Sequence, residues 1–72
     1  MTSANANPHL RIIRLPLVIA RTGLSRSTIY EHISNGNFPK QVSLGPHSVG
    51  WVENEINMWI EGRISASRIT AN

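Results

Sequence analysis

The sequence predicts a mainly α-helical domain with one small β-hairpin, arranged as a winged helix-turn-helix. Three observations predict it. Two short apolar segments are joined by Arg21-Thr22-Gly23-Leu24-Ser25, a brief glycine-containing connection that ends on a good helix-capping residue. Residues 38–51 alternate with a period near two on either side of Gly45-Pro46-His47, as a hairpin does. Val52, Ile56, Trp59, Ile60 and Ile64 then return to helical spacing and form one apolar stripe. With 72 residues, a single domain is the natural count, and it spans residues 10–64.

Each element follows from local chemistry. Residues 1–9 are small and polar and are expected to form a disordered tail. Residues 10–15, Leu-Arg-Ile-Ile-Arg-Leu, read as a short extended stretch or as the lead into a helix. Pro16 suits a helix's first turn, so Leu17, Val18, Ile19 and Ala20 are placed in a helix over residues 16–22. Gly23 adopts positive φ at no steric cost and stops it. Ser25 caps the next helix, expected over residues 25–35, with Leu24 packing back onto Ile29 as a hydrophobic staple. Ile29 and Ile33 share its inner face, and Gly36 ends it. A hairpin is expected near residues 40–51, with its tip at residues 45–47. The last helix is expected over residues 52–64, with Glu53 and Glu55 favouring its positive end. Beyond it the apolar periodicity is lost, and residues 65–72 are expected to fray.

Composition narrows the functional classes. There is no cysteine, so no disulfide framework or thiolate zinc site is available. The apolar runs are too short to span a membrane, and the first residues lack a signal-peptide layout. A cytoplasmic, nucleoid-associated protein is the expectation. His9, His32 and His47 fit no metal-ligand spacing, so no metal and no other cofactor is expected. No nucleophile–base set stands out, and so small a domain leaves little room for a substrate cavity. Neither an enzyme nor a small-molecule substrate is expected. Trp51, closing the hairpin, and Trp59, on the helical stripe, read as core residues rather than base-stacking platforms.

The charge is unevenly spread. The net charge is +3, but residues 9–48 carry five cations against the single acid Glu31, a net +4, whereas residues 49–72 sum to −1. A concentrated basic segment suggests a polyanionic partner, here double-stranded DNA. In a helix-turn-helix the second helix enters the major groove with its N-terminal residues at base edges. The positions taken as outward are Arg26, Ser27, Tyr30 and Glu31, none of them needed for the core if Leu24, Ile29 and Ile33 face inward. Arg26 suits guanine or phosphate, Ser27 and Thr28 can contact phosphate, Glu31 suits cytosine N4, and Arg26, Ser27, Tyr30 and Glu31 together are expected to select sequence. The helix end at Ser25 itself attracts phosphate. Arg21 and Lys40 are expected to supply grip. His47 at the wing tip is weaker, because imidazole is largely uncharged near neutral pH.

The runs Arg14-Leu15-Pro16, Arg21 through Tyr30, Phe38-Pro39-Lys40, Leu44-Gly45-Pro46 and Val49-Gly50-Trp51 resemble the AlpA family over residues 10–64. That family comprises small prophage-associated regulators with a MerR-like, excisionase-like winged helix fold. The resemblance implies sequence-specific DNA binding by the second helix and the wing, and transcriptional regulation of a prophage or mobile element. Relatives of the family act as recombination directionality factors that bend attachment-site DNA, which is the alternative role. Glu31 and His47 depart from the family pattern, which often carries a basic residue at both places. Two lost phosphate contacts lower the salt dependence of binding by about two units of slope. Self-association or cooperative binding on repeated sites suits a domain that reads few base pairs. A rival reading is a protein-interaction module docking a recombinase through Ile60, Ile64 and Ile69.

Overall fold

The computed structural model describes residues 10–70, so the expected tail at residues 1–9 lies outside the described residues. The element order is β-α-α-β-β-α. Residues 10–15 divide between their two readings: Ile12–Ile13 form strand β1, and helix α1 (Leu15–Thr22) starts two residues later. Pro16 occupies the second helical position, and the Arg14 carbonyl accepts from the Leu17 and Val18 N–H groups at 3.1 Å. Gly23 ends α1 at φ 75°, the left-handed conformation expected of it, and its N–H donates to the Ile19 carbonyl. The Thr22 hydroxyl donates to the Val18 carbonyl and accepts from the Leu24 N–H, which fixes the connection.

Helix α2 (Arg26–Ser34) lies within the span expected for it, with Ser25 and Asn35 as its caps. Strands β2 (Val42–Gly45) and β3 (Ser48–Val52) form the hairpin, with Pro46 and His47 as its two-residue turn. Lys40 therefore precedes the hairpin instead of opening it. Val42 faces Gly50 and Ser43 faces Val49, but Gly45 faces Ser48, so one extra residue bulges near Leu44. The sheet has a third strand that the sequence reading lacked. β1 pairs antiparallel with β3, Ile12 against Val52 and Ile13 against Trp51, giving the order β1-β3-β2. Gly50 makes that sheet possible. A Cβ there would run into Ile12 Cγ2 and lie 3.1 Å from the Ile13 carbonyl oxygen.

Every layer contributes to one core. Val18 of α1, Ile29 of α2, Trp51 of β3 and Ile56 of helix α3 (Glu53–Thr70) are fully buried, with Ile13 and Phe38 beside them. Burial of each of these six side chains contributes about 1.5–3 kcal/mol against the entropy of ordering the chain. Leu24, Tyr30, Ile33, Trp59 and Ile60 are partly buried and pack against this cluster. Trp59 is only half-buried. Its indole N–H donates to the Asn37 carbonyl at 2.7 Å and its ring meets Phe38 edge-on at 4.8 Å, pinning the α2–β2 connection to α3.

The C-terminal boundary is corrected. α3 does not stop at Ile64 but runs 18 residues to Thr70, about 27 Å at the α-helical rise. Residues 61–69 are exposed, Ile64 among them. Loss of apolar periodicity after Ile64 marks loss of burial, while the absence of Gly or Pro between Arg63 and Thr70 lets the helix continue. The architecture, three helices around a three-stranded antiparallel sheet, is compatible with a winged helix.

Candidate nucleic-acid interface

Helix α2 owes its start to Ser25. Its hydroxyl accepts from the Thr28 N–H at 3.2 Å and donates to the Thr28 hydroxyl at 3.0 Å. Both hydroxyls are thus already engaged in holding the first turn. Arg26, Ser27 and Glu31 are exposed on the outer side of α2. Neither α1 nor α2 carries an acid in its first turn, so the positive end of each helix dipole is left uncompensated.

Tyr30 differs from its expected role as an outward residue. It is half-buried and packs against the core cluster, its ring edge-on to the fully buried Trp51 at 6.3 Å between centroids. Its other side supports Arg26, whose guanidinium carbon lies 5.2 Å from the ring centroid. A cation–π contact at an exposed site is worth about 0.5–1 kcal/mol and restricts a long side chain. The core therefore orients Arg26 through one intervening ring.

Arg21 is also placed otherwise than its charge suggested. Its guanidinium donates to Glu53 Oε2 at 2.6 Å and to Asn57 Oδ1, both on α3. Arg11 lies 3.9 Å from the same carboxylate. Arg21 thus ties α1 to the first turn of α3 through an ion pair with Glu53. The sequence reading could not see this, because the carboxylate partner is 32 residues away.

Two concavities flank the exposed side of α2, with Tyr30 lining both. One gathers Arg14, Arg26, His47 and Val49 with the first turn of α1. The other holds Ile33, Ser34, Lys40 and Gln41. The hairpin tip, through His47, and the α2 start, through Arg26, thus line one hollow, and Lys40 lines the other. Arg14, which the sequence places only among the basic residues of its first two-thirds, lines the first hollow as well. Among the described residues no group of three or more His, Asp or Glu side chains could hold a metal. No described helix is long and apolar enough to cross a membrane.

Fold and site together define a small, mainly helical domain compatible with the winged helix class. Residues 11–64 match the family described as prophage CP4-57 regulatory protein (AlpA), and the chain belongs to that family. It is 50% identical over 58 residues to protein ORF88 of Enterobacteria phage P4, covering 81% of this chain and 66% of the phage protein. The chain thus spans just under two thirds of that relative's length. It is 43% identical over 65 residues to the DNA-binding transcriptional activator AlpA of Escherichia coli K12, covering 82% of this chain and 93% of the activator.

Proposed function

We propose that this protein is a sequence-specific DNA-binding regulator of transcription, serving a prophage or mobile element. One observation carries the reading: the capped first two turns of α2 present Arg26, Ser27 and Glu31 to solvent, and Arg26 lines one hollow with His47 of the hairpin tip. The E. coli relative, named a DNA-binding transcriptional activator, supports it. In this reading α2 lies in the major groove with its N-terminal turns at base edges, and the wing rests on the backbone or in the minor groove.

The side chains divide the work. Ser27 and Glu31 select bases. Glu31 suits cytosine N4, and because a carboxylate repels phosphate it earns its place only by discriminating. Ser25 and Thr28 shape the helix end that receives a phosphate, and Lys40 grips the backbone on the far flank. Arg21 acts by positioning α1 against α3, not by touching DNA.

The test is electrophoretic mobility shift with DNA from the protein's own genomic neighbourhood, against an unrelated fragment of equal length. Selective binding is expected, and Glu31→Gln should change the preferred base at one position, shifting discrimination by about 1–3 kcal/mol. If no neighbouring fragment is bound selectively at low salt, the reading fails.

A further inference from the structure

We propose that the concavity between α1, α2 and the wing is a seat for one DNA backbone phosphate, with Arg14 as an additional contact shared with Arg26 and His47. The proposal rests on the DNA-binding reading and deepens it. Three features carry it.

First, the basic side chains come from three elements far apart in sequence and line one hollow, together with Leu15, Pro16, Tyr30 and Val49 but no acid. The two guanidiniums, Arg14 and Arg26, gathered without a carboxylate repel each other, an entering anion relieves that repulsion, and His47 adds a ring N–H donor. Elsewhere the chain does supply such a partner, since Arg11 and Arg21 both meet Glu53.

Second, Arg14 is available. It is exposed, it makes no side-chain cap for α1, and it has no ion pair among the described residues. Third, Arg26 is held over the Tyr30 ring at the rim of this hollow. A guanidinium stacked there keeps its N–H edges for an anion, which suits phosphate. The first turns of α1 and α2, both free of acids, add their dipoles to the same place.

A phosphate seat and a base reader behave differently. Removing a phosphate contact weakens binding equally on all sequences and lowers the salt slope by about 0.9. The experiment measures Kd against salt concentration for the full chain on the preferred fragment and on an unrelated one. It compares wild type, Arg14→Gln and Arg68→Gln, with thermal melts to verify folding. Arg68→Gln removes the same charge from the last turn of α3, outside the hollow.

The expected result is an equal loss of affinity on both fragments with Arg14→Gln, a slope lower by about one, and a much smaller change with Arg68→Gln. Arg14→Lys should recover part of the loss, because the charge returns without the guanidinium fork. An unchanged slope with Arg14→Gln, or a loss confined to the preferred fragment, overturns the seat while leaving DNA binding intact. If wild type binds neither fragment, the functional reading itself fails and the seat falls with it.

Discussion

The same substitution should act with opposite sign at two glycines. At Gly50, buried in β3, an added Cβ meets Ile12 Cγ2, the Ile13 carbonyl oxygen at 3.1 Å and Leu44 Cδ1 at 3.2 Å. Ile12 is β-branched and stiff at χ1, and the carbonyl is backbone, so relief requires β1 to move away from β3. Overpacking of this kind costs about 1–3 kcal/mol, partly offset by the about 0.4–1 kcal/mol that alanine gains by restricting the unfolded chain. Gly50→Ala should therefore destabilise by about 1–2 kcal/mol, or about 5–15 °C in Tm for a domain of this size. At Gly62 an added Cβ meets nothing within 4 Å, and the residue lies in the exposed part of α3. Gly62→Ala should stabilise by about 0.5–1 kcal/mol, from helix propensity alone.

The assay is urea unfolding followed by circular dichroism, with thermal melts alongside. A cycle with Ile12→Ala identifies the cause, because trimming Ile12 should restore part of the loss in the Gly50→Ala background. Gly50→Ala at wild-type stability, or a loss that Ile12→Ala leaves untouched, would refute the close packing of β1 on β3.

Three further outcomes follow from the same geometry. Trp51→Ala empties the fully buried centre of the core and should cost about 3–5 kcal/mol, enough to unfold the domain in a thermal melt. Ser25→Ala removes the acceptor for the Thr28 N–H and should cost about 1 kcal/mol in urea unfolding, with Ser25→Asp recovering most of it. Arg21→Gln loses the partly buried pair with Glu53; it should cost about 1 kcal/mol and leave the salt slope of DNA binding unchanged, whereas a lower slope would return Arg21 to the interface.

What was legible in the sequence was local. Gly23 and Ser25 fix the turn between α1 and α2, because a left-handed stop and a hydroxyl cap act over three residues. The hairpin and Trp51 were legible for the same reason. Features set by distant partners were not. β1 is two residues long, so it shows no periodicity, and its register comes from β3 some 40 residues later. The commitment of Arg21 depends on Glu53, and a charge count cannot distinguish a paired arginine from an available one. Tyr30 looks outward by helical spacing, yet Trp51 gives it a wall to lean on. The hollow that Arg14 lines exists only once α1, α2 and the hairpin are brought together.

The central claim is that the outer side of α2 and the adjoining hollow meet DNA. Titrating the preferred DNA fragment into isotope-labelled protein and following backbone and arginine side-chain resonances tests it most directly. The account predicts the largest shifts at Arg14, Arg26, Ser27, Glu31 and His47, with residues 61–69 of α3 little changed. Shifts concentrated on those α3 residues, with the α2 start unmoved, would contradict it.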